Sequence, residues 1–300
     1  MDERLSIVIP AYRCAKFLPA AIASALRCPA AEILIAEHTS GDDTLAVARH
    51  WRKCHPDRIR VIETGRHTPG VSRNLNRAFQ EVRTPFVLRV DGDDLVRASY
   101  IPHALNRLAA DESVAIVSGP FTTIGSDEYL DFNRPPADTE VEPEGYRKVS
   151  GLDAAKFVLG WAPSMSSSGT IFRMTAWHDV GGFDAALMWG EDWELWFRLA
   201  RRWSVACFSS EIAFYRTNHS GLTAVNQRLD RLCYQYDYIY RAARKIWPEA
   251  ELTPLFRKAY FKAARTYCGS AVRALEGRRF AEVPGRTIRG LRGLAMAAAV

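Results

Sequence analysis

Apolar residues along this chain fall in short runs that alternate with stretches of helical spacing. LSIVIP (5–10) is almost wholly apolar, as a parallel strand buried on both faces would be, and Pro10 closes it. From Lys16 to Leu26 the apolar positions Phe17, Ile22, Ala25 and Leu26 follow the period of a helix. EILIAE (32–37) predicts a second strand, Thr44–Lys53 a helix, and RIRVIE (58–63) a third strand. Val71–Val82, after Gly70, predicts a helix. PFVLRVD (85–91) is a fourth strand, Ile101–Ala110 a helix and SVAIVSG (113–119) a fifth strand. Strands alternating with helices predict a doubly wound, mostly parallel sheet flanked by helices, with the ligand crevice at the carboxyl ends of the strands.

The pattern loosens from Phe121 to Ser150, where Pro135, Pro136 and Pro143 predict a loop or flap. It returns with a strand in GTIFR (169–173), a helix in EDWELWFRLARR (191–202), and short strands in SVACFS (204–209) and IAFYR (212–216). The serine-rich stretch Ser164–Ser168 is read as a polar loop, with acceptor-sugar binding as the alternative. After Leu222 only helical spacing remains. Helices are expected near Gln227–Ile246, Thr253–Leu275 and Ile288–Met296, punctuated by Pro248, Pro254 and Pro284.

Composition narrows the class. With 48% hydrophobic and 25% charged residues, the chain is expected to be globular and not disordered. No stretch reads as membrane-spanning, and the acidic opening MDERLSIVIPAY is not that expected of a signal peptide. Six scattered cysteines without a C-x-x-C pair suggest reduced thiols in a cytoplasmic protein. The net charge of +6 is uneven: residues 223–300 carry 15 Lys/Arg against 6 Asp/Glu. That basic tail is read either as a peripheral surface for the inner face of a membrane, or as a helical cap or homodimer contact with a solvated basic face. It has no nucleic-acid motif.

Three carboxylates leave the fourth strand within four residues, in Asp91-Gly92-Asp93-Asp94. Such a cluster repels itself unless a cation or hydrogen-bond donors compensate. Mn²⁺ or Mg²⁺, which takes one or two carboxylates plus substrate phosphates, is one compensator; a solvated, helix-capping turn is the plain alternative. Glu191-Asp192 opens a helix, whose N-terminus favours carboxylate charge. In isolation such a pair is most simply a cap. Trp189, Trp193 and Trp196 surround it, and Trp189 is the best placed of the three for sugar contact. His219 is read as a metal or phosphate ligand or as a loop histidine.

Together these segments resemble glycosyltransferase family 2, an inverting group with a GT-A-type fold, over roughly residues 5–223. The opening SIVIPAY, the helix start PGVSRNLNRAF, the strand FVLRVDGDD, the run from Arg173 through GGFD to Glu191-Asp192, and YRTNHSGLT occur in the family's order. The resemblance implies a catalytic domain at 1–222 that binds a nucleotide-sugar donor, followed by a basic helical extension at 223–300. It implies that Pro10, Ala11 and Tyr12 line the nucleotide base, with Glu37 and His38 beside it. Arg73 would reach the base or diphosphate. Asp91 and Gly92 would meet the ribose and donor, and Asp93 or Asp94 the metal, with His219 in addition. Asp192, next to Glu191, would be the general base toward a hydroxyl of a glycan or lipid-linked acceptor. One departure concerns the base: the family's second acid after strand two is here His38, which cannot reproduce a carboxylate's acceptor-only pattern. A uracil nucleotide is the first expectation.

Two other functions compete. A sugar-nucleotide pyrophosphorylase also has an α/β sheet, but it needs a glycine-rich loop after the first strand, and AYRCAKF has no glycine. A non-catalytic nucleotide-sugar-binding protein draws its support from His38.

Overall fold

The computed structural model describes residues 1–64, 70–138, 144–161, 165–187, 190–217, 231–245, 247–276 and 283–299. The chain falls into two compact units. One is Met1–Phe157 with Trp161–Asn218, the other Val158–Gly160 with His219–Val300. The boundary expected at 222/223 lies outside the described residues.

The elements run β1 (Asp2–Ala11), α1 (Leu18–Leu26), β2 (Ala30–Glu37), α2 (Thr44–Cys54), β3 (Ile59–Glu63), α3 (Val71–Gln80) and β4 (Phe86–Arg89). They continue with β5 (Leu95–Val96), α4 (Ile101–Ala110), β6 (Val114–Ser118), β7 (Phe121–Ile124), β8 (Arg147–Val149), α5 (Gly151–Trp161) and β9 (Ile171–Arg173). Then come α6 (Met174–Asp179), α7 (Glu191–Leu199), β10 (Ser204–Cys207) and β11 (Ala213–Arg216).

Eight strands form one sheet in the order β3-β2-β1-β4-β9-β6-β10-β8, and β5-β11-β7 form a second. The first four strands of the large sheet are mutually parallel, whereas β9 is antiparallel to both neighbours. The sheet is therefore mostly parallel, as expected. Strand alternation sends Ile7, Ile9, Ile35, Leu88 and Ile171 to one face, where Leu18 and Ile22 of α1 and Leu105 of α4 cover them. On the opposite face Phe79 of α3 packs on Phe172, Trp177 and Phe183, with ring centroids 5.6, 5.4 and 5.2 Å away. Both faces are covered, so the central strands are apolar throughout. Because β1 to β4 run the same way, their carboxyl ends share one edge.

The segment 121–150, expected as a loop or flap, contributes two short strands. β7 pairs in parallel with β11, and β8 pairs antiparallel with β10. These partners are distant in sequence, so no local pattern announces the pairing. The second unit holds α8 (Arg231–Ala243), α9 (Glu249–Glu276) and α10 (Val283–Ala299). α9 starts four residues before the expected Thr253 and carries Pro254 inside it; Leu252 and Phe256, both fully buried, anchor that first stretch. Among the described residues no helix is long and apolar enough to cross a membrane.

Candidate active site

The site is assembled along the shared strand edge. β1 delivers Pro10 and Ala11, followed by Tyr12, whose ring is half exposed. β2 delivers Glu37 and then His38, whose backbone N–H donates to the Ala11 carbonyl at 3.1 Å. The Tyr12 and His38 rings lie 5.9 Å apart, so adjacent strands present two planar groups together. His38 Nδ1 is 3.2 Å from Thr64 Oγ1, just past β3. Burial holds the imidazole below its usual range, hence neutral. Glu37 points elsewhere: it is buried and accepts from the Thr39 and Ser40 amides and the Ser40 hydroxyl, which fixes the loop after β2.

The acidic turn after β4 is pressed against the end of β1. A Cβ on Gly92 would stand 2.8 Å from Cys14 Sγ and 3.0 Å from the Pro10 carbonyl, so only glycine lets the two loops approach this closely.

Arg89, the last residue of β4, joins the two acidic motifs. Its Nε and Nη2 donate to the Asp91 carboxylate at 2.7 and 3.2 Å. Its Nη1 lies 2.9 Å from Glu191 Oε1, an ion pair out of line for a hydrogen bond. The side chains of Arg89 and Glu191 are each only 5% exposed, so this link sits in the interior. Burial pushes the Glu191 carboxyl up to about 7, opposed by the Arg89 charge. Desolvation works against the Arg89 charge, but Asp91, Glu191 and Asp192 outweigh it. Arg89 therefore brings Asp91 and the start of α7, remote in sequence, together.

Two serines of the polar stretch, Ser167 and Ser168, brace the site. Ser168, buried, accepts from the Asp91 amide at 2.9 Å and donates to Asp94 Oδ2 at 2.7 Å. Ser167 donates to Asp192 Oδ2, and the Trp193 amide donates to Asp192 Oδ1 at 2.8 Å. Glu191 and Asp192 both stand in the first turn of α7, where the helix dipole favours their charge. Arg216, in the closing Y-R stretch, clamps the acidic turn from the other side. Its amide donates to Asp94 Oδ1 at 2.9 Å and its Nε to the Asp93 carbonyl at 2.8 Å. Asp94 is thus buried with both oxygens engaged, and burial beside Asp93 and Asp91 pushes its carboxyl well above the usual range. Arg89 and Arg216 are given no role by the sequence, and Ser168 enters there only as part of a polar loop. An arginine in an otherwise apolar strand, two residues before an acidic cluster, is the available signal.

Arg73 donates from Nε to the Ala185 carbonyl at 3.1 Å. Its helix also holds the 183–187 segment through Ser72 to the Leu187 carbonyl and through a two-way clasp of Asn76 with Phe183. His219 and Trp189 lie outside the described residues. Among the described residues no three His, Cys, Asp or Glu side chains gather into a metal cage. Asp91, held by Arg89, and Asp93 are the half-buried carboxylates of the turn, and Asp94 is enclosed. A divalent ion shared with a diphosphate needs only one or two protein carboxylates. The donor set fits an ion completed by substrate.

A mostly parallel sheet, an acidic turn after its fourth strand and carboxylates at a nearby helix start together define a GT-A-type fold. Residues 3–234 match glycosyltransferase-like family 2, and the chain belongs to that family. It is 24% identical over 229 residues to the hyaluronan synthase of Pasteurella multocida, covering 74% of this chain and 21% of that protein. Against the chondroitin synthase of Escherichia coli the identity is again 24%, over 74% of this chain and 30% of the relative. The chain thus spans less than a third of these relatives' length. In fold it is similar to S. aureus TarS 1–349 in complex with UDP-GlcNAc, with a TM-score of 0.67 and 16% identity over 98% of this chain and 81% of that one. It is also similar to the mannosyltransferase PcManGT from Pyrobaculum calidifontis in complex with GDP-Man and Mn²⁺, with a TM-score of 0.58 and 18% identity over 98% and 88%.

Proposed function

We propose that this chain transfers a sugar from a nucleotide-diphosphate sugar to a hydroxyl of a glycan or lipid-linked glycan, with inversion at the anomeric carbon. The observation that carries the reading is Arg89, which ties the acidic turn to the Glu191-Asp192 helix start in one buried cluster.

In this reading the Tyr12 and His38 rings take the nucleotide base. A neutral imidazole can donate or accept toward it, and a uracil nucleotide remains the first choice. Asp93 would hold Mn²⁺ or Mg²⁺, while Asp94 fixes the turn. Such an ion, when bound, neutralises charge on the departing diphosphate. Ser167 orients the Asp192 carboxylate. Asp192 accepts the acceptor's hydroxyl proton as that oxygen bonds to the anomeric carbon. The bond to the diphosphate oxygen breaks with its electron pair on the leaving nucleoside diphosphate. Glu191, enclosed and paired with Arg89, positions its neighbour. One base and direct displacement require no covalent sugar–protein intermediate.

The test is nucleoside diphosphate release from a donor panel with and without Mn²⁺. UDP-GlcNAc, held by the TarS structure, and GDP-mannose, held by PcManGT, head the panel. Metal-dependent release that is lost in Asp93→Ala supports the reading. An Mn²⁺ response unchanged in Asp93→Ala removes that residue from the metal role. No turnover with any donor favours a binding protein instead, and sugar-nucleotide formation from a sugar phosphate favours a pyrophosphorylase.

A further inference from the structure

The last helix is built inside out. Among the described side chains of α10, Gly290, Gly293 and Ala297 are the buried positions, spaced three and four residues apart on one face. They bring the backbone of α10 close to α9: a Cβ on Gly293 would meet Ala264 Cβ at 3.0 Å. The large apolar residues point the other way. Ile288 is 65% exposed, Leu291 60% and Leu294 40%, and Ala295 and Ala298 continue the same face. A helix that buries glycine and displays isoleucine and leucine keeps its apolar face for something outside the unit.

The charge on α10 says what that is. Its sequence VPGRTIRGLRGLAMAAA holds three arginines and no acid. Arg292 flanks the apolar face on one side, at a helical offset between it and the buried glycines, and Arg289, whose guanidinium lies 5.7 Å from the Tyr267 ring, stands nearer the glycines. Two copies meeting through this face would bring together two helices that carry arginine and no acid. An apolar face bordered by arginine instead matches a helix lying in the plane of a membrane surface that carries negative charge.

We propose that α10 docks on an anionic lipid surface, with Ile288, Leu291 and Leu294 in the boundary between headgroups and acyl chains and Arg292 beside the lipid phosphates. The proposal concerns the second unit and does not depend on the transferase reading.

The test is co-sedimentation of the full chain with vesicles of phosphatidylcholine alone, or of phosphatidylcholine mixed with phosphatidylglycerol. Pelleting with the mixed vesicles that weakens as salt rises is expected. The double variant Ile288→Glu, Leu291→Glu should lose about tenfold or more in vesicle affinity, with an unchanged melting temperature because both side chains face solvent. Arg292→Gln should lose about fivefold, and it keeps the test decisive if the double variant fails to fold. Nucleoside diphosphate release without vesicles should be unchanged in all of them. Equal binding to neutral vesicles, no binding to either, or variants that pellet like the parent would overturn the proposal. So would light scattering that shows a dimer dissolved by the double variant.

Discussion

Arg89→Met offers the sharpest test of the link between the two acidic motifs. The side chain keeps an unbranched apolar stem and loses the guanidinium that stands between Asp91 and Glu191. Removing one partner of a buried ion pair costs about 3–5 kcal/mol, because the remaining charge is left uncompensated. In a unit of this size that is roughly 6–20 °C of melting temperature. Two features push the value down at low pH. The Asp91 side chain is 26% exposed and retains some hydration, and Glu191 can take up a proton. The sign follows from Glu191. Its folded carboxyl titrates at about 7, above the unfolded value, so the native state favours the protonated acid. Stability is therefore given up as pH rises from the unfolded pKa toward the folded one. Without Arg89 the folded value climbs further and the loss grows. The deficit of Arg89→Met relative to the parent should be larger near pH 8 than near about pH 5.5. Differential scanning calorimetry at the two values measures it. A deficit equal at both, or a variant that melts with the parent at the higher pH, would refute the reasoning.

Other substitutions probe separate parts of the site. Asp192→Asn should lower kcat by about 10²–10⁴-fold while donor binding persists; loss of donor affinity in a titration would count against its role as base. Ser168→Ala leaves the Asp91 amide and a buried Asp94 oxygen each without a partner. It should destabilise by about 1–3 kcal/mol for each group left unpaired, read from denaturant midpoints. Gly92→Ala inserts a methyl 2.8 Å from Cys14 Sγ and 3.0 Å from the Pro10 carbonyl. It should cost about 1–3 kcal/mol through overpacking and raise KM for the donor, and a variant with parental stability and KM would show that the two loops do not need to touch.

The sequence alone carried the strand–helix alternation, because strands buried on both faces must be apolar and the connecting helices must repeat every three to four residues. It also carried the residue types of the acidic turn and the helix start, since clustered carboxylates stand out against an apolar background. It did not reveal β7 and β8, whose partners lie far along the chain, nor the brace at Ser167 and Ser168, which look like any polar loop until their hydroxyl partners are known. Nor could it separate Asp93 from Asp94: adjacent identical residues differ only in which one the tertiary fold encloses beneath Ser168 and Arg216. Arg89 makes the same point from the other side. Its first partner, Asp91, lies two residues away, but its second, Glu191, comes from far along the chain, and only folding decides that pairing.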